Sequence, residues 1–238
     1  MYMKIIKKNI HYKNNNQIIY RFIILVQAFC ISSSLLSQNK IFYQEFNFLQ
    51  RLSAKTNHST LRPYNEQFNQ LSFKDLPEAF DGYTITQISD IHSGSFTNKE
   101  KIKYGVDLIN EQKSDIMLFT GDIVNNTADE MDNWMDVFDK LEAKEGKYSI
   151  LGNHDYGDYN EWESEEAKAN NFQQVKDIHK KIGFDLLCNE NRYLEKDGQK
   201  IALIGVENWG KGFNQAGDLE KASENIKKED FKILMSHD

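Results

Sequence analysis

Residues 83–94 read YTITQISDIHSG and contain the pattern that the rest of the chain repeats. The alternating, β-branched run Tyr83–Ser89 predicts a strand, and the polar residues Asp90 and His92 follow it directly. Such an ending is common in surface turns. It gains meaning only because the same arrangement returns later in the chain.

Three more predicted strands end in polar clusters of the same kind. They are 115–120 (DIMLFT) before Gly121-Asp122, 147–151 (KYSIL) before Gly152-Asn153-His154-Asp155, and 231–235 (FKILM) before Ser236-His237-Asp238. Ligands of open α/β sheets bind beyond the carboxyl ends of the strands, so we expect the four clusters to converge in one crevice.

Helices and further strands are predicted between and after these strands, which is typical of an α/β protein. The predicted helices are 98–112 with Thr97 as N-cap, 128–143, 161–182 and 218–226. The further strands are 184–188, 192–196 and 199–206. The turn pair Asp197-Gly198 predicts a hairpin between the last two.

The charge of the 238-residue chain is unevenly distributed. Residues 1–60 carry eight of the 29 Lys and Arg but one of the 36 acidic residues, so the remainder has a net charge of −14. A body this acidic argues against nucleic-acid binding. With two cysteines in the whole chain, a Cys-based zinc site is excluded, and any metal must be held by His, Asp, Glu or Asn.

The N-terminal 37 residues resemble a signal peptide or membrane anchor. Five basic residues and no acidic one precede the mostly apolar run 22–36. We expect export or membrane association through this segment, hence a place in the cell envelope. A buried helix or an artefactual N-terminus, with a cytoplasmic protein, is the alternative. Residues 38–78 lack periodicity and are predicted as a linker, and residues 79–238 as the folded domain.

The histidines and carboxylates at the strand ends suit a metal site. His92, His154 and His237 each follow a predicted strand. Oxygen and imidazole ligands without sulfur favour Mn, Fe or Zn. The two carboxylate oxygens of Asp122 could bridge ions roughly 3.5–4 Å apart, as two-metal hydrolases require. Two such ions would supply the positive charge that an acidic body needs to bind phosphate.

The order of the four clusters resembles that of the calcineurin-like metallophosphoesterase superfamily, over about residues 80–238. The stretch 87–95 (QISDIHSGS) and the tetrapeptide GNHD are similar to its bacterial, YkuE-like branch, which includes membrane-associated and exported enzymes. The resemblance implies an α/β fold built on a two-layer β-sandwich flanked by helices. It also implies hydrolysis of phosphomono- or diesters by a hydroxide that bridges two divalent metal ions, with a lipid-linked phosphoester as one substrate candidate. No protein partner is evident.

The same resemblance implies a role for each residue. Asp90 and His92 would hold the first metal ion, Asp122 would bridge, and Asn153 and His237 would hold the second.

Two neighbouring residues would be catalytic. His154 would act as proton donor or charge stabiliser, and Asp155 would orient its ring.

One departure from the family's pattern leaves an alternative open. The family continues to a Gly-His-x-His block, whereas no histidine follows His237. We therefore expect a truncated domain that lacks one ligand for each metal ion and strands of its second half. The rival interpretation is a non-catalytic module that keeps the fold as a binding platform, similar to the metallophosphoesterase-like subunit of retromer.

Overall fold

The computed structural model describes residues 23–24, 39–47, 65–209 and 215–237, and the elements named here lie in those ranges. The strands are β1 (Ile23–Ile24), β2 (Asn39–Asn47), β3 (Asn65–Phe73), β4 (Tyr83–Ser89), β5 (Ile116–Phe119), β6 (Gly146–Ser149), β7 (Asp185–Leu186), β8 (Glu190–Lys196), β9 (Gln199–Gly205) and β10 (Lys232–Met235). The α-helices are α1 (Lys99–Glu111), α2 (Met135–Phe138), α3 (Glu165–Lys181) and α4 (Leu219–Ala222).

The strands form two sheets. The first has the order β3-β2-β4-β5-β6-β7, and its neighbours run parallel apart from the antiparallel pair β2 and β3. The second has the order β1-β10-β9-β8, in which β8 and β9 form the predicted antiparallel hairpin. Of the four strands predicted to carry the site, β4, β5 and β6 belong to the first sheet and β10 belongs to the second. The site therefore lies where the two sheets meet.

Alternate side chains of the central strands serve two different cores. Ile85 and Ile116 belong to the core shared with buried residues of β9 and β10, such as Ile201. Ile88 and Met117, one pleat away, belong to the core shared with the helices. β5 is buried on both faces and reads as a continuous apolar run, IMLF. β4 is buried as well but alternates, and it buries polar residues such as Thr86 and Gln87. The predicted α/β architecture, a two-layer sandwich flanked by helices, is confirmed.

The predicted linker contains two strands of the first sheet. β2 lies parallel to β4 in a register that runs from Ile41 opposite Tyr83 to Asn47 opposite Ser89, and β3 pairs with β2 on its other side. The linker interpretation is wrong for these residues. Ladder hydrogen bonds use only the backbone, so a strand can form without the hydrophobic alternation that sequence analysis detects.

Most predicted helices are present but shorter. The helix predicted over 128–143 is instead a 3₁₀ turn at Ala128–Met131 followed by α2. Asp132 and Asn133 between them are poor helix formers, yet the predicted apolar residue Phe138 is still buried. In α1 the side chain of Asn98, one residue beyond the predicted cap, accepts a hydrogen bond from the backbone N–H of Lys101 at 3.0 Å.

The predicted signal or anchor segment lies almost entirely outside the described residues. Its described part, Ile23–Ile24, pairs in parallel with Ile233–Leu234 of β10. Among the helices that the structure describes, none has both the length and the apolar character needed to span a bilayer.

His179 of α3 is a polar side chain in the apolar core. It is fully buried and stacks on Phe119, with 5.4 Å between the ring centroids. Neither ring nitrogen makes a hydrogen bond within the described part of the chain. Burial alone lowers the pKa of His179 to about 3, so the ring is neutral in the folded protein.

Replacing His179 with Leu should stabilise the domain by about 1 kcal/mol, because a buried polar group without a hydrogen bond is costly. The substitution should also change how stability depends on pH. Below pH ~6.5 the unfolded chain gains a proton on this histidine that the folded chain does not, so stability falls as pH falls from there towards the folded pKa. Urea unfolding between pH 7.5 and 4.5 should show that the free energy of unfolding falls less steeply with pH in His179→Leu than in the parent. Lys180→Leu, at the exposed neighbouring position, is the control. Identical pH dependence in parent and His179→Leu would contradict the conclusion that His179 is buried as a neutral ring.

Candidate metal centre

The loops after β4 and β5 hold three of the predicted ligands in left-handed backbone conformations. Asp90, His92 and Asp122 have φ values of 54°, 45° and 61°. Non-glycine residues rarely adopt such angles, and they persist where the surroundings impose them, most often at functional sites. Here the backbone N–H of Asp90 donates to the carbonyl of Gly121, and that of His92 donates to the carbonyl of Asp122, both at 3.0 Å.

Two glycines bring the loop after β5 against the loop after β6. Gly121 has a φ of 97°, and a Cβ placed on it would overlap the backbone of Gly152. A Cβ on Gly152 would in turn overlap the carboxylate oxygen Oδ1 of Asp122. The absence of side chains at both positions lets the two loops meet backbone to backbone, which sets Asp122 beside the residues that follow β6.

Asp122 lies at the centre of the site. Its side chain is almost fully buried, and its Oδ2 is 3.4 Å from Nε2 of His92 and 3.3 Å from Nε2 of His237. Its Oδ1 accepts a hydrogen bond from the backbone N–H of His154 at 2.9 Å. Two groups of potential metal ligands share this carboxylate: one adds His92 and His154, and the other adds Asp90 and His237.

The contacts of His237 indicate a place for positive charge. Nδ1 lies 2.7 Å from the carbonyl oxygen of Thr120, a contact that needs the proton on Nδ1. In a neutral ring Nε2 then presents a lone pair, yet it faces Oδ1 of Asn153 at 3.1 Å and the carboxylate of Asp122. Three acceptors facing one another repel unless a proton or a metal ion lies among them.

The pKa values of the pair respond to that arrangement. Burial lowers the pKa of His237, but the hydrogen bond and charge of Asp122 outweigh burial and raise it to about 9. Burial raises the pKa of Asp122, and the contact with His237 outweighs it and holds that pKa below its usual value. The site therefore stabilises a cation, and its oxygen and nitrogen donors suit a divalent metal ion.

The ring of His154 is oriented by a backbone carbonyl. Its Nδ1 lies 2.7 Å from the carbonyl oxygen of Asn125, which leaves Nε2 for the site. The ring meets His92 edge to face at 4.7 Å between centroids. The expectation that Asp155 orients this ring is wrong, because both oxygens of that carboxylate are committed elsewhere.

Asp155 instead joins the loops after β5 and β6. Fully buried, it accepts hydrogen bonds from the backbone N–H groups of Gly152 and Asp122 on Oδ2, and of Ile123 on Oδ1, at 2.8–2.9 Å. Burial and the negative charge of Asp122 raise the pKa of Asp155 to about 7, although the backbone donors oppose this rise. Its role is to hold the backbone that carries Asp122.

Three residues of the site were missed by the sequence analysis. Asn125 contributes only a backbone carbonyl, which has no sequence signature. The carboxylate of Glu130 accepts hydrogen bonds from the backbone N–H groups of Asn125, Asn126, Thr127 and Gly94, at 2.5–3.2 Å, and so holds that carbonyl in place. Thr127-x-x-Glu130 is a capping-box signature that could have revealed it. Tyr159, four residues beyond Asp155, contacts both Asn153 and His154.

The structure brings the five predicted ligands together, in a grouping that differs from the one that the resemblance implies. Asp90 is grouped with His237, and His92 with His154, rather than Asp90 with His92. Asp90 and His92 are nevertheless 3.9 Å apart, between Oδ1 and Nε2. Asn153 adjoins His237, with Oδ1 3.1 Å from Nε2.

The comparisons with known proteins agree with one another. The model of the calcineurin-like phosphoesterase family matches residues 83–238. The chain is 31% identical over 167 residues to the uncharacterized metallophosphoesterase YkuE of Bacillus subtilis, which covers 68% of this chain and 53% of that protein. It is 23% identical over 167 residues to the uncharacterized metallophosphoesterase YkoQ of the same species, covering 69% and 56%. It is also 24% identical over 168 residues to a Bos taurus transmembrane protein with metallophosphoesterase domain, covering 68% and 36%. The chain thus spans about half the length of the two bacterial relatives.

Proposed function

Because the chain belongs to the calcineurin-like phosphoesterase family, we propose that its site binds two divalent metal ions and hydrolyses phosphate esters. The observation that carries the proposal is the carboxylate of Asp122, which two separate groups of ligand atoms share. A buried carboxylate shared by two groups of ligands can bridge two metal ions, as two-metal hydrolases require.

Five side chains would hold the ions: Asp90, His92, Asp122, Asn153 and His237. Their donor atoms are carboxylate and amide oxygens and imidazole nitrogens, which suit Mn, Fe or Zn. Bound there, the ions would supply positive charge for a phosphate group and lower the pKa of a water molecule that attacks it. Without them, the acidic body of the protein would repel the substrate.

His154 is the residue best placed to handle a proton. Nδ1 donates a hydrogen bond to the Asn125 carbonyl, so Nε2 is the atom that can carry a proton towards the substrate. A proton delivered to the departing oxygen would stabilise the charge that develops when the phosphorus–oxygen bond breaks. Glu130 supports this function indirectly, because it fixes the loop that bears Asn125.

The substrate that we propose is a phosphoester near a membrane, with a lipid-linked phosphoester as the first candidate. The support is the basic, then apolar, N-terminal sequence together with the name of the bovine relative, a transmembrane protein with metallophosphoesterase domain. Assays should therefore include a lipid-linked phosphoester beside soluble ones.

The full chain with Mn²⁺ should hydrolyse a chromogenic phosphodiester or phosphomonoester, and treatment with a chelator should remove the activity. Added Mn²⁺ should restore it, because the charge that binds the phosphate is supplied by the ions. Metal analysis should find about two ions per chain. A protein that purifies without metal, binds none on dialysis against Mn²⁺ and hydrolyses neither ester would instead support the binding-platform interpretation.

A further inference from the structure

Tyr159 lies against the candidate site without contributing a ligand atom of its own. Its hydroxyl accepts a hydrogen bond from Nδ2 of Asn153 at 2.7 Å, while Oδ1 of the same amide faces His237. The two ends of the amide are thus held separately. Oδ1 is the end that can bind a cation, because an amide NH₂ group offers only donors.

The same ring also covers His154. The two rings stack, with 4.4 Å between their centroids and 28° between their planes. The carbonyl of Asn125 constrains the edge of the His154 ring through Nδ1, and Tyr159 constrains its face. Tyr159 therefore contacts both Asn153 and His154.

We propose that Tyr159 is a positioning residue that fixes the amide of Asn153 with Oδ1 towards the metal ligands and fixes the plane of the His154 ring. The inference rests on the proposed function, since it assigns the two contacts to metal binding and to proton transfer. A residue buried for stability alone would be enclosed by apolar neighbours, whereas Tyr159 is 44% exposed.

Two substitutions separate the two contacts. Tyr159→Phe removes the hydroxyl and keeps the ring, whereas Tyr159→Leu removes both. Loss of a partner that orients a metal ligand typically costs roughly 10–100-fold in metal affinity. We expect Tyr159→Phe to weaken Mn²⁺ binding about 10-fold and to lower kcat at saturating Mn²⁺ less than Tyr159→Leu does. Tyr159→Leu should weaken Mn²⁺ binding similarly and also lower kcat at saturating Mn²⁺.

Calorimetric titration of the metal-free full chain with Mn²⁺ measures the first effect without any assay of activity. Tyr104→Phe is the matched control, because Tyr104 is 53% exposed in α1 and lies outside the candidate site. It should bind Mn²⁺ as the parent does, and all three variants should melt near the parent's temperature. Parent-like Mn²⁺ affinity in both Tyr159 variants would overturn the positioning role and leave the proposed function intact. Failure of the parent itself to bind Mn²⁺ would overturn both.

Discussion

Replacing Asp122 with Asn should abolish binding of at least one metal ion and lower phosphoesterase activity by at least about 100-fold. Loss of a residue that merely orients a ligand costs roughly 10–100-fold, and Asp122 is the carboxylate that both ligand groups share. The amide has nearly the same shape and can keep the hydrogen bond from the backbone of His154 through Oδ1. The substitution therefore removes the negative charge and should leave the fold intact.

Metal content and steady-state kinetics on a chromogenic phosphoester would measure the effect. Asp132→Asn, an exposed aspartate ten residues further along the chain, is the control for the loss of one negative charge. It should retain both metal ions and activity. If Asp122→Asn bound as much Mn²⁺ and hydrolysed the ester as fast as Asp132→Asn, the bridging role would be refuted.

Replacing Asp155 with Asn should have the largest effect on stability, lowering the free energy of unfolding by about 3 kcal/mol. The carboxylate accepts three backbone hydrogen bonds of 2.8–2.9 Å, and a longer one of 3.5 Å from Val124, in a fully buried position. An amide would turn an NH₂ group towards backbone N–H donors, and each buried donor left unsatisfied costs about 1–3 kcal/mol. Activity should fall as well, because the backbone that carries Asp122 would lose its anchor.

Urea unfolding at pH 8, above the raised pKa of Asp155, keeps the parent's carboxylate ionised during the measurement. Asp158→Asn is the matched control, since that aspartate is about one-third exposed and pairs with Lys168 at the surface. Surface ion pairs contribute about 0–1 kcal/mol, so this control should unfold close to the parent. Equal urea midpoints for Asp155→Asn and Asp158→Asn would show that the buried carboxylate does not hold the two loops together.

Sequence analysis predicted the central strands well because the alternation of β4 and the apolar run of β5 are both clear strand patterns. β4 begins and ends at the predicted residues, and β5 and β6 do so within two residues at either end. It missed β2 and β3, which are placed by backbone pairing, β2 with β4 and β3 with β2. It also overestimated the helix at 128–143, where apolar spacing was satisfied by short turns instead.

For the site, the ligand types and their convergence followed from where the strands end. The finer arrangement did not, because it depends on backbone groups. The Asn125 carbonyl orients His154, and backbone N–H groups surround Asp155. Such backbone groups occur in nearly every residue and leave no mark in the sequence. Likewise, nothing in the letters GNHD distinguishes an aspartate that orients a histidine from one that joins two loops.

The hydrogen bond between His237 and the carbonyl of Thr120 crosses from the end of β10 to the end of β5, and so from one sheet to the other. An ion held by Asp122 and His237 would therefore act as a clasp between the two halves of the sandwich. By mass action, each tenfold rise in free Mn²⁺ above its dissociation constant would add about 1.4 kcal/mol per ion to the stability of the whole domain. A melting curve recorded against metal concentration would then count the ions that the sandwich holds, even before any substrate is known.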